Sequence, residues 1–398
     1  MARSLCLLIV ALVVLAFASS ASAATPYDPD AAAFSSTPSA DLTVSGACNF
    51  DTTIGSISGA GCSVTRGPGI DVVNGIGLFT VSSSALEQAD TMEFVFRSVT
   101  MTSGGSITYS GADNLVIATL HDLDVGTGAT VSADGRGQPG GGPGEAGSGP
   151  GGGDHSPFSN CADAGGGGSF GGLGGDGGNG VPSGGMYGST DQSQFLNEGS
   201  GGAGAGTGSG CGVVNGGSGG GGLGLVAMGT LTVNGAVSAN GTPPGPTATL
   251  SDQGGPGGGS GGAILLLSPH LVLANQSVAS AKGGDGYSTS IENGSGGGGG
   301  GGGRITMVSD QPSSALNLMS TTGGAGGDAP AGIGLPGAEA NGGSIAGLPF
   351  LKMSGPGSKP AGQSATFTAT QAAGNGTLAW NFGDGGTGTG QTASHSYT

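Results

Sequence analysis

Two hydrophobic rhythms divide this chain. Over residues 42–135 apolar and polar positions alternate with period two. Leu78-Phe79-Thr80-Val81, Met92-Glu93-Phe94-Val95-Phe96-Arg97-Ser98-Val99, Ser106-Ile107-Thr108-Tyr109 and Asn114-Leu115-Val116-Ile117-Ala118 show it. Successive strand side chains point to opposite faces, so this spacing predicts short β-strands, with Gly, Asn and Asp at the breaks. Only residues 84–92 could make a helical turn. Over residues 136–347 the apolar positions cluster in continuous runs between glycine blocks, and the clusters repeat. One unit holds Leu223-Gly224-Leu225-Val226-Ala227-Met228, Leu231-Thr232-Val233 and Val237-Ser238-Ala239-Asn240-Gly241. The next holds Ala263-Ile264-Leu265-Leu266-Leu267, Leu271-Val272-Leu273 and Val278-Ala279-Ser280-Ala281-Lys282-Gly283. A third holds Arg304-Ile305-Thr306-Met307-Val308, Leu316-Asn317-Leu318 and Ser320-Thr321-Thr322-Gly323. Val131-Ser132-Ala133-Asp134-Gly135 is an earlier partial copy.

The closing glycines Gly241, Gly283 and Gly323 stand 42 and 40 residues apart. Self-similarity on that scale signals a solenoid, a propeller or an array. A single unit cannot bury its apolar face, whereas stacked units can. Near-continuous aliphatic runs suit parallel strands buried on both faces. A propeller would need four strands per blade and more aromatics. The expected fold is therefore all-β, with a Gly-rich repetitive parallel β-solenoid, or β-helix-like region, over residues 136–347. The Gly blocks would project as loops, either flexible or packed as polyproline-II strands where missing side chains allow close backbone approach. The sequence leaves that choice open.

Composition sharpens the picture. Of 398 residues 96 are Gly, and 73 of these fall within the 213 residues 135–347. Adjacent glycines without a strict Gly-X-Y period exclude collagen. A hydrophobic fraction of 35% argues against simple disorder. Lys plus Arg is 8 against 25 for Asp plus Glu, a net charge of −17. Such a chain does not grip nucleic acid through phosphates and is repelled by anionic membrane surfaces. Residues 1–23 read as a secretory signal peptide, with Arg3, an apolar stretch from Leu5 to Phe17 and the small-residue site Ala21-Ser22-Ala23. No later segment is apolar enough to insert in a membrane. Residues 24–41 read as a loose polar lead-in. Four cysteines follow the leader, Cys48, Cys62, Cys161 and Cys211, and an even count in an exported chain suggests disulfides. Three connectivities are possible, and proximity favours Cys48–Cys62 and Cys161–Cys211.

Residues 348–398 change character again. Ser364-Ala365-Thr366-Phe367-Thr368-Ala369-Thr370 alternates as a strand. Leu378-Ala379-Trp380-Asn381-Phe382-Gly383-Asp384-Gly385 and His395-Ser396-Tyr397 follow it. Trp380, Phe382, Gly383, Asp384, Gly385, His395 and Tyr397 match the Trp-x-Phe-Gly-Asp-Gly and His-x-Tyr pattern of the PKD domain, the immunoglobulin-like module named for polycystic kidney disease. The resemblance covers about the last 50 residues. It implies a partial Ig-like β-sandwich, because the family continues past this Tyr with a Pro-Gly-x-Tyr turn and further strands. It also implies a spacer, or a mediator of protein and carbohydrate contacts. The repeat region, through Gly259 to Leu267 and Val237 to Gly241, is similar to repeats of large exported bacterial surface proteins.

Candidate chemistry is sparse. His121, His155, His270 and His395 are dispersed; Asp122 and Asp124 beside His121 invite a metal or acid–base reading, against a polar turn at a strand end. Gly171 to Asp176 and Gly323 to Asp328 half-match the calcium nonapeptide repeat, with the wrong residue at the following apolar position. Calcium on an acidic surface is the one cofactor considered. No catalytic or cofactor-binding residue is assigned. β-Helix enzymes can assemble carboxylates across rungs, but few cations remain here to bind an anionic polysaccharide. The expected function is a secreted or cell-surface structural or adhesive protein, non-catalytic, contacting extracellular proteins or polysaccharides. The alternative is the N-terminal fragment of a secreted PKD-containing hydrolase whose catalytic domain lies beyond residue 398. Ice binding by packed Gly-rich polyproline-II strands ranks third.

Overall fold

The structure is a computed structural model. It describes residues 12–13, 27, 34–83, 89–155, 164–189, 196–206, 214–245, 254–273, 278–290, 294–309, 319–330, 332–338, 343–346, 351–354, 363–371, 379–381, 387–390 and 392–396. The described residues are nearly all β or extended; the single helical element is the short 3-10 turn Gly178–Gly180.

The period-two and repeat regions build one solenoid-like stack. Each rung contributes a strand to each of three sheets. One rung comprises Thr91–Phe96, Ser98–Met101 and Ser106–Ser110, and the next Asn114–Thr119, Leu123–Val125 and Thr130–Ser132. Gly222–Ala227, Thr230–Val233 and Ala236–Ser238 come next, then Ala263–Leu267, His270–Leu273 and Val278–Ser280. Arg304–Ser309, Met319–Ser320 and Gly343–Ala346 continue the first and third sheets. All of these pair in parallel with their neighbours. Residues 42–135 and 136–347 therefore share the same three sheets.

Register explains the repeats. In the first sheet Phe94, Ile117, Leu225, Leu266 and Met307 lie side by side on neighbouring strands. Leu42, Val99, Leu123, Leu231 and Leu271 do the same in the second sheet. Cys48, Ile107, Val131, Val237 and Ala279 do so in the third. All are buried in a single core that side chains fill. The continuous runs of the first sheet have a further cause. Its outer face, with Val95, Val116, Ala118, Val226, Leu265 and Val308, is also buried, against Phe170, Leu196 and Tyr27. Phe170 and Leu196 belong to the Gly-rich layer.

That layer settles the open choice: its described segments are packed. Amide-to-carbonyl bonds join neighbouring segments at every third residue. Gly199, Gly202 and Ala205 donate to Gly220, Gly217 and Val214; Gly255, Gly258 and Gly261 donate to Ser295, Gly298 and Gly301. Three residues per turn is the period of the polyproline-II helix, which has no internal hydrogen bonds and so offers its backbone groups to neighbours. A Cβ on Gly297 or Gly298 would lie well under 3.0 Å from the carbonyls of Pro256 or Gly175, so only glycine permits this approach.

The Val-Ser-Ala-Asn-Gly signature is a ladder. Its first and third residues point into the core. Asp134 accepts bonds from the Asn240 amide (2.6 Å) and the Ser238 hydroxyl (3.0 Å). Asn240 in turn accepts from the Lys282 amide (2.8 Å) and the Ser280 hydroxyl (2.7 Å). Each rung's polar residue thus fixes the next.

The N-terminal end is capped. Antiparallel strands Ser56–Ser58, Asp71–Val73 and Ile76–Val81 close two of the sheets. Cys48 and Cys62 form a disulfide, with Cα atoms 5.2 Å apart, holding the cap loop on the first third-sheet strand. Arg66, buried, donates to the carbonyls of Gly55, Gly67, Asp71 and Ile76. The stretch expected to be a loose lead-in is anchored at both its described parts: Tyr27 is fully buried, and Phe34 meets Phe79 edge-on at 5.9 Å.

Two further antiparallel sheets pair separately from the stack, one of Leu351–Ser354, Ser364–Gln371 and Thr392–Ser396, the other of Leu12–Val13, Ala379–Asn381 and Thr387–Thr389.

Candidate functional site

A cleft of about 560 Å³ opens where the first Gly-rich segment leaves the stack. Asp90 and Asp113 each precede a first-sheet strand. Thr91 pairs with Asn114, so these two acids stand side by side on neighbouring rungs. The Asp90 carboxylate accepts the Ser83 amide at 2.8 Å. Arg136, Gln138 and Pro139 line the opposite wall, and Glu198 comes in from the returning Gly-rich segment.

Glu198 is 3% exposed. Gln138 Nε2 donates to its Oε1, and the Ala89 amide also donates to its carboxylate. These bonds favour the ionised form, but burial outweighs them and the neighbouring Asp113 adds to burial, raising Glu198 to about 7. Burial, reinforced by Asp90, raises Asp113 as well. The cleft thus sets a carboxyl that is half-protonated near neutrality beside two further acids and beside the donors of Arg136 and Gln138. That combination can accept and donate protons and can hold a hydroxyl-rich ligand.

The histidine cluster is arranged otherwise. His121 and Asp122 occupy the corner between the first and second sheets, where their main chains serve the stack. The His121 carbonyl accepts the Gly229 amide, and the Asp122 side chain accepts the Thr230 amide at 2.7 Å. Asp124 stands on the outer face of the second sheet between Thr100 and Thr232, and burial raises its carboxyl. His155 lies in the Gly-rich layer and His270 opens a second-sheet strand. Among the described residues no three His, Cys, Asp or Glu side chains come together to hold a metal ion. Of the two nonapeptide-like stretches, Asp176 accepts the Ser183 amide at 2.8 Å, and the amide of Asp328 donates to Ser288. Both belong to the packed layer.

Trp380 pairs with Gly388 across a hairpin whose turn, with Phe382, Gly383, Asp384 and Gly385, lies outside the described residues, as does Tyr397. His395 is half-buried opposite Ala365. Cys161 and Cys211 lie outside the described residues too.

Sequence reasoning missed Asp90, Asp113 and Glu198. A signal existed for two of them, since an Asp directly precedes the first-sheet strand in successive rungs. Glu198 is a lone acid between Gly-rich blocks, and nothing local ties it to the other two. The chain matches no known family, no characterised protein and no solved structure with which it was compared.

Proposed function

We infer that this is an exported, non-catalytic structural protein of a cell surface or extracellular matrix, contacting proteins or polysaccharides. One observation carries this reading. The interior of the stack is filled by side chains, and the outer face of the first sheet's central strands, from Thr91–Phe96 to Arg304–Ser309, is covered by a glycine layer fused by backbone bonds. Such an arrangement builds a stiff scaffold with few side chains for chemistry. The anchored cap with its disulfide supports an oxidising, exported setting. The secretory leader supports it as well, and its removal would take the strand Leu12–Val13 from the last sheet. The antiparallel strands after residue 350 and the Trp380 and His395 motif residues support a partial PKD domain, whose family role is contact with proteins or carbohydrates.

The acidic cleft favours one second reading, a carbohydrate-acting hydrolase, because paired carboxyls with one protonated are what glycoside hydrolysis needs. Incubation with pectins, alginates and chitin separates the two. Retention on a polysaccharide without product release supports the scaffold. Release abolished by Asp113→Asn and by Glu198→Gln supports the enzyme. The packed layer also keeps ice binding testable, by thermal hysteresis.

A further inference from the structure

We propose that the seam between the Gly-rich layer and the first sheet is an acid-favoured latch, with the buried Glu198 carboxyl as its trigger. Glu198 belongs to the layer, yet its side chain is enclosed at the sheet's edge. Among the described residues, the neighbouring elements bring several titratable or polar groups close to it. The strand entries present Asp90 and Asp113, the third sheet presents Tyr109, and the first Gly-rich segment presents Arg136 and Gln138. From residues 164–189 of the Gly-rich layer, the Tyr187 hydroxyl donates to the main-chain carbonyl of Glu198 and holds its backbone in place. Asp113 acts on the carboxyl as a like charge, so a negative Glu198 is repelled as well as stripped of water. A neutral Glu198 keeps the bond to Gln138 without either cost.

The backbone bonds of Gln138 to Gly199 (2.9 Å) and of Gly199 to Gly220 (2.8 Å) flank the carboxyl and report whether the seam is closed. The raised titration of Glu198, about 7, places the change within the range of ordinary extracellular pH. Acid closes the latch, and rising pH loosens it.

The test is amide hydrogen exchange on the full chain between pH 5 and pH 8, corrected for the intrinsic pH dependence of exchange. Protection of the Gln138 and Gly199 amides is expected to fall by about tenfold or more across that range, given the 1.36 kcal/mol carried by each pKa unit. Glu198→Gln should stay protected throughout. Asp113→Asn, which removes a like charge, should move the wild-type midpoint to lower pH. Core amides such as Ile117 and Leu225 are the internal control and should not respond. A flat wild-type profile, the same slope in Glu198→Gln, or an unmoved midpoint in Asp113→Asn would each overturn the latch.

Discussion

At the scale of single residues, glycine here is a packing residue. Gly298 sits where any Cβ would strike the carbonyl of Gly175, whereas Gly185 faces open space. Gly298→Ala should therefore separate backbones that hydrogen-bond, and destabilise by more than the roughly 1 kcal/mol typical of a point substitution. Gly185→Ala should be neutral or slightly stabilising, because it restricts the unfolded chain. Urea denaturation of the two variants side by side measures the contrast; equal midpoints would mean that the layer is not packed. The same scale governs Asn240. Its side chain is consumed in bonding Lys282 and Ser280. Asn240→Ala should cost about 0.5–1.5 kcal/mol, the net worth of a hydrogen bond where water can take over the exposed Lys282 amide.

At the scale of elements, the rung is the unit of stability. Leu266 is fully buried between Leu225 and Met307. Leu266→Ala should cost about 2–5 kcal/mol, the range for deleting a buried leucine. The cap behaves differently. The Cys48–Cys62 bridge has a sequence separation of 14, for which the chain-entropy account gives roughly 3 kcal/mol. Reduction, or Cys62→Ser, should lower the melting temperature by that equivalent and expose the cap loop to protease first. Limited proteolysis that cut the Gly-rich layer before residues 52–75 would contradict this order.

At the scale of the whole molecule, the stack and the glycine layer share a buried face, so they should unfold together. The two antiparallel sheets built on residues after 350, one of which also takes in Leu12–Val13, rest on pairings separate from the stack. Truncation after residue 346 should leave the main calorimetric transition in place. Glu198 adds a pH dependence to that transition. Its folded value, about 7, lies above the ordinary 4.5. The folded state then binds the extra proton between these values, so the Glu198 contribution to stability is fully present below about pH 4.5 and is lost as pH rises through 7. The size is about 3 kcal/mol, at 1.36 kcal/mol per unit. Denaturation midpoints of wild type and Glu198→Gln from pH 5 to 8 should diverge in that sense, and parallel curves would remove Glu198 as the cause.

The stacked strands were legible along the chain. The spacing of Leu225, Leu266 and Met307 already placed them on equivalent rungs, because burying an apolar face obliges repeated units to stack in register. The Cys48–Cys62 pair was legible for the same reason of short-range geometry. Other features depended on neighbours that the sequence does not announce. Whether a glycine run is loose or packed is decided by the carbonyl opposite it, and that carbonyl often lies 40 residues away, as Gly298 does from Gly258. Tyr27 sits in a polar stretch, and only the apolar face opened by the first sheet buries it. Asp90, Asp113 and Glu198 are far apart in sequence. Rung stacking brings the first two together, and the return of the Gly-rich segment adds the third. Local pattern fixes which face of a strand is apolar; which distant backbone or carboxyl meets that face is a property of the closed tertiary structure alone.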